Sequence, residues 1–222
     1  SRPIRWIVSL LDSDVLPFEI PGCNPEIKIG NISRPHRLYG SELLIKNAKT
    51  YFDQLHDAGV IVDRHSRLSC INDLVANHKI NNKFKPDLSE SLLNELTDLV
   101  ESPMLVTGSF DESFLDLPPE VLSTVMKVHQ RYIPLYTLNC EFDPLSLDSR
   151  NILLPSFLCI SNGLTSAKEN IILGNEKVLK ARFSDASFFI KSDLLINSSS
   201  RIDKLKDVTF VEGLGSLYDR VN

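Results

Sequence analysis

The side chains best placed to do chemistry lie between Thr124 and Arg131. Thr124, Lys127 and Arg131 fall at i, i+3 and i+7, on one stripe of a helix, with Gln130 at its margin. Such a stripe could hold a nucleic-acid phosphate through charge-assisted hydrogen bonds. The same pattern also fits an ordinary solvated helix face. His129 sits between this stripe and an apolar one made of Val121, Val125, Val128 and Tyr132. It could stack on a base or touch phosphate, or serve as a satisfied structural histidine. No spacing implies a partner for it as a general base.

Three further cationic groups invite the same question. Arg34, His36 and Arg37 lie close to Tyr39, and basic groups beside an aromatic can grip a backbone and stack a base. Lys177, Lys180 and Arg182 make a later segment locally basic, although Asp185 stands at ion-pair spacing from Arg182. Arg64, His65 and Arg67 at a helix start are open to either reading. The 222-residue chain carries a formal net charge of -5, so bulk charge does not draw it to nucleic acid and any RNA contact must be local.

Other chemistries find little support. The sequence has no P-loop, no GxSxG elbow and no HExxH pair, and Gly213-Leu214-Gly215 is too short for a nucleotide fingerprint. Cys23, Cys70, Cys140 and Cys159 show neither CxxC nor zinc-site spacing, which fits reduced thiols in a cytosolic protein. No apolar run is long enough to span a bilayer, and no signal peptide is evident. With no initiator Met, the chain reads as an internal piece of a longer protein.

The elements that must position these residues follow from pattern. Ile4–Leu11 suits a buried strand, Asp12-Ser13-Asp14 a turn, and Val15–Ile20 a second extended run. Cys23–Arg37 reads as loop or irregular edge, and Glu42–Lys46 as a short strand. Asn47 can cap a helix over Ala48–Ala58 that ends at Gly59, with Tyr51, Phe52, Leu55 and Ala58 as its apolar stripe. Val60–Val62 reads as a strand, Asp63 as the start of a second helix, and Asn77–Pro86 as a surface loop. Asp87 and Glu90 have capping-box spacing ahead of the helix bearing Leu92, Leu93, Leu96 and Leu99. Strands are expected over Met104–Thr107, Tyr132–Asn139 and Leu153–Ile160, and a proline-started helix after Pro118-Pro119. Glu141–Asn151 reads as an acidic turn. Helix is expected from about Ser166 to Lys191 with Phe183, Phe188 and Phe189 in the core, then a linker at Asn197–Ser200 and a strand over Val208–Val211. The alternation of strand and helix predicts a mixed α/β fold, with no domain boundary evident inside the chain.

Several ordered blocks resemble the beta subunit of bacterial two-subunit glycyl-tRNA synthetase. Arg2-Pro3-Ile4-Arg5-Trp6 resembles that family's RPxxW segment. Arg34-Pro35-His36-Arg37-Leu38 resembles its RGHRF segment, with Pro35 in place of the usual glycine. Ala58–Asp63, Gly108-Ser109-Phe110-Asp111, Met126–Tyr132, Gly174-Asn175-Glu176, Lys180–Ala186 and Leu214–Asp219 follow in the same order.

The resemblance implies a single B3/B4-like region over residues 1–222, of α/β (mixed α+β) class with a mixed sheet and surrounding helices. It implies a glycine–tRNA ligase in which a separate alpha subunit uses ATP and Mg, so that no cofactor is expected in this chain. The partners it implies are that alpha subunit and tRNA(Gly), in a cytoplasmic hetero-oligomer with no membrane. Arg34, His36, Arg37, Lys127, His129, Gln130, Arg131, Lys180 and Arg182 are then the candidate tRNA contacts, and no residue of this chain is expected to be catalytic. Hydrolytic editing of mischarged tRNA and a purely structural subunit interface are the competing roles. Glycine's small size lets a synthetic site reject larger competitors sterically, which lessens the need for editing.

Overall fold

The computed structural model describes residues 4–24, 26–81, 84–138 and 152–221. The expected acidic turn at Glu141–Asn151 lies outside them, as do Arg2, Pro3 and Cys140. The described residues form two compact units, 1–179 and 180–222. The division falls within one helix, Lys168–Leu194. The fold is mixed α/β, with small sheets and surrounding helices.

The first unit is built on a four-stranded antiparallel sheet in the order β7 (Phe84–Pro86), β9 (Ile133–Thr137), β10 (Leu153–Ser161), β8 (Met104–Ser109). Phe157–Ile160 are all buried, as expected of a strand covered on both faces. Leu158 and Ile160 join Ile71 and Val75 of α2 (Arg64–Asn81) and Leu92 and Leu96 of α3 (Glu90–Leu99) in one core. On the alternate residues of β10, the fully buried Phe157 stacks on Tyr132 at 4.6 Å between ring centroids. Gly108 of β8 lies against that ring: a Cβ there would fall 2.5 Å from Phe157 Cζ. Burial pushes the hydroxyl of Tyr132 and the thiol of Cys159 up to about 12 each.

Small pairs make up the remainder of the strands. β1 (Trp6–Val8) is parallel to β4 (Lys28–Gly30), β2 (Leu10–Leu11) and β3 (Asp14–Val15) form a hairpin, and β5 (Ile32–Ser33) pairs with β6 (Leu43–Leu44). The hairpin is where the turn signal placed it, but the run expected to be buried is half-buried to exposed. Asn47 accepts a hydrogen bond from Lys49 N ahead of α1 (Tyr51–Asp57), and Gly59 closes that end with φ +76. Leu55 is the buried member of the α1 stripe, and Phe52 is exposed.

Several expectations are corrected. Val60–Val62 forms no strand, although Ile61 N donates to the Glu101 carbonyl. The expected loop after Asn77 is the last turn of α2, and β7 lies within the same stretch because Phe84 is buried. Ser89, not Asp87, caps α3, accepting from Leu92 N. After α4 (Pro119–Thr124) the helix widens into a π turn over Val125–Gln130. Its buried row is Pro119, Leu122, Ser123 and Met126, one residue round from the expected stripe, and Val128 is exposed.

In the second unit the terminal part of α5 (Lys168–Leu194) buries Phe183 but leaves Phe188 and Phe189 exposed. The expected linker is a capped helical turn instead. Asn197 accepts from Ser199 N at the start of a 3₁₀ segment, Ser198–Asp207. Val208–Val211 carries an isolated bridge, Thr209 to Ser216, where a strand was expected, and α6 (Leu217–Val221) follows.

Candidate nucleic-acid interface

Several of the cations singled out by spacing are engaged by acidic or carbonyl groups of this same chain, and four of them meet α3 or the residues just ahead of it. Lys127 Nζ donates to Asp87 Oδ2 at 2.6 Å, just ahead of α3. Arg131 Nε donates to Glu95 Oε1 at 2.7 Å. From α2, Arg64 forks onto both oxygens of Asp98 (2.7 and 3.1 Å) and onto Asn94 Oδ1 (2.9 Å). This holds the Asp98 carboxyl below its ordinary range, chiefly through the hydrogen bond from Arg64. Asp63, ahead of α2, is lowered too, because Ser66 N and Ser66 Oγ both donate to its Oδ2.

Arg67 is the most firmly held. Its Nη1 donates to the carbonyls of Ile61 and Val62 (2.7 Å each) and its Nε to that of Thr97 (3.2 Å). The carbonyls of Ile61 and Val62 thus meet a guanidinium rather than a neighbouring strand.

The π turn sets the geometry of the other two cations. Arg131 ends it in the left-handed region (φ 57), and Tyr132 N donates back to the Met126 carbonyl at 2.8 Å. A non-glycine residue in that region costs about 1–2 kcal/mol and persists where surrounding contacts hold it. Here the contacts are the Glu95 pair and the buried Tyr132 ring. His129 is exposed and Gln130 half-buried, beside the paired cations rather than among them.

The Arg34–Arg37 group does not form one surface. His36 is only 1% exposed. Its Nε2 donates to the Asn162 carbonyl at 3.2 Å, and its Nδ1 accepts from Leu38 N at 3.5 Å, which fixes the tautomer. Asn162 Oδ1 in turn accepts from Glu101 N and Ser102 N. His36 is therefore held as a pin between two segments of this chain, with almost none of its surface open to a partner. Arg34 lies over the Trp6 ring at 4.7 Å, and Arg37 is exposed.

Lys180 and Arg182 are exposed on α5. Among the described residues no ion pair joins Arg182 to Asp185, so the pairing suggested by their spacing is not formed.

Sequence reasoning missed Glu176. Its Oε1 accepts from Ser109 N (2.7 Å) and Ser109 Oγ (2.9 Å), tying the Gly174-Asn175-Glu176 block to Gly108-Ser109-Phe110-Asp111. The two blocks are 67 residues apart in sequence, and only their shared presence in the family pattern hinted at a link. Among the described residues no group of three or more His, Cys, Asp or Glu could hold a metal ion, and no helix is long and apolar enough to cross a membrane.

Fold and site together define a mixed α/β region in which Arg64 and Arg131 pair with carboxylates of one helix and Lys127 with a carboxylate just ahead of it, with other cations left on the surface. The model of the glycyl-tRNA synthetase beta subunit family matches residues 1–222. A glycine–tRNA ligase beta subunit of Bacillus subtilis is 40% identical over 220 residues, covering 99% of this chain and 30% of that protein. Those of Trichodesmium erythraeum and Streptococcus agalactiae serotype III are each 41% identical, covering 99% and 100% of this chain and 30% of theirs. The chain belongs to the glycyl-tRNA synthetase beta subunit family. It spans about 30% of the length of these relatives.

Proposed function

We propose that residues 1–222 act as one B3/B4-like region of a glycine–tRNA ligase beta subunit, contacting tRNA(Gly) and bracing the assembly. An alpha subunit would bind ATP, Mg and glycine and carry the chemistry, within a cytoplasmic hetero-oligomer. The family match along the whole chain supports the ligase assignment, and the relatives' naming as beta subunits supports a companion subunit.

The observation that carries the contact role is the contrast between two sets of cations. Lys127 and Arg131 hold carboxylates of α3 and its approach, so they brace the fold. Lys180 and Arg182 stand exposed, and among the described residues no carboxylate pairs with either. Phosphate positioning needs cations that need not first break an internal pair.

Salt-dependent tRNA binding to the assembled enzyme tests this. Lys180→Ala with Arg182→Ala is expected to weaken binding about tenfold at low salt and to reduce the slope of log affinity against log salt by about 1–2. Lys127→Ala with Arg131→Ala is expected to leave that slope unchanged. Unchanged affinity in the Lys180/Arg182 variant would remove the contact role from α5. A reduced slope in the other variant would return it to the π turn.

A further inference from the structure

Residues 180–222 form a compact unit with almost no core of their own. Among its described residues Phe183 alone is buried. Against that, Phe188 is 66% exposed, Phe189 64%, Leu194 74% and Leu195 86%. Phe188 and Phe189 meet edge to face at 5.7 Å, Leu194 ends the same helix, and Leu195 follows it. A unit of this size cannot be stabilised by one buried ring, since chains below about 40–60 residues bury too little surface to fold unaided. Large apolar side chains exposed to this degree at one end of a helix mark an interface.

The chemistry of the face narrows its occupant. Between Phe188 and Ser200 the one cation is Lys191, and the next, Arg201, donates to the Asp193 carbonyl and pairs with its carboxylate. Nucleic acid, which needs several cations for its phosphates, finds little purchase here. The surface has the composition of a permanent contact, which is more apolar than a transient one. The relatives are more than three times the length of this chain, so most of a family-length polypeptide lies outside residues 1–222. We infer that, in the family-length polypeptide, the apolar face of Phe188, Phe189, Leu194 and Leu195 is permanently covered by the part of that same polypeptide outside residues 1–222. The inference rests on family length and apolar exposure, independently of any tRNA contact.

Peptide-resolved alkylation by N-ethylmaleimide tests it, using family-length polypeptide without its companion subunit and carrying Leu195→Cys or, separately, Phe188→Cys. Each rate is divided by the rate of the same variant in denaturant. Both cysteines are expected to react at least about tenfold more slowly in the folded polypeptide, and equally so from about 10 μM down to about 10 nM protein. Reaction at the denatured rate would overturn the inference. So would protection that vanishes on dilution, which would assign the face to a second copy, or protection that appears only with the companion subunit, which would assign it there.

Discussion

Phe157→Ala is expected to lower the stability of the β8–β9–β10 region by about 3–5 kcal/mol, the range for truncating a buried aromatic. The ring is fully buried, stacks on Tyr132 at 4.6 Å and lies directly over Gly108. Its removal would leave a cavity between two paired strands and strip the Tyr132 ring of its partner. Hydrogen exchange of the Leu158–Ile160 amides in folded and variant protein reads the loss locally. The partner substitution sharpens the test. Gly108→Ala alone would place a methyl group 2.5 Å from Phe157 Cζ, and overpacking of this kind costs about 1–3 kcal/mol. In the Phe157→Ala background the added methyl enters free space, so the two losses are expected to fall short of additive by at least about 1 kcal/mol. Additive losses would mean that the two residues do not share one packing site.

Arg67→Met is expected to destabilise the α2–α3 pair by about 2–3 kcal/mol. The methionine keeps much of the aliphatic stem, but three carbonyls lose a cationic donor: those of Ile61, Val62 and Thr97. Hydrogen bonds to charged groups contribute about 1.5–3 kcal/mol, and half-buried carbonyls left without a partner add desolvation cost. Native-state exchange over Leu68–Val75 provides the readout, with tRNA affinity measured on the same protein. Lower protection and unchanged affinity in the assembled enzyme are the expected results. Lower affinity with unchanged protection would make Arg67 a nucleic-acid contact and leave the fold to be held by something else.

The sequence was most readable where one element carried its own evidence. Leu153–Ile160 is a run of apolar residues long enough for a strand buried on both faces, and it forms β10. Gly59 and Asp63 mark a helix end and a helix start, and both do so in the structure. Reading failed where two patterns overlapped. Val121, Val125 and Val128 compete with Leu122 and Met126 for the inner face of one helix, and a π turn, which no periodicity announces, moves Val128 outward. Asp87 and Ser89 are both good caps, and Asp87 is taken by Lys127 from 40 residues away.

The candidate site was the least readable part for the same reason. A charge can be counted from sequence, but the carboxylates that meet Arg64 and Arg131 lie 34 and 36 residues distant. Spacing along one helix shows the stripe of Lys127 and Arg131 but not the Asp87 and Glu95 carboxylates they pair with. His36 makes the point again. Its flanking arginines suggested a basic loop, whereas its ring bonds to Asn162, 126 residues further on.

Photo-crosslinking of the assembled enzyme to its tRNA, with peptides identified by mass spectrometry, bears most directly on the central claim. Crosslinked peptides are expected from residues 1–222, among them the α5 peptide holding Lys180 and Arg182, and none centred on the buried His36. Crosslinks confined to the polypeptide outside residues 1–222 would contradict it and leave this region a structural support alone.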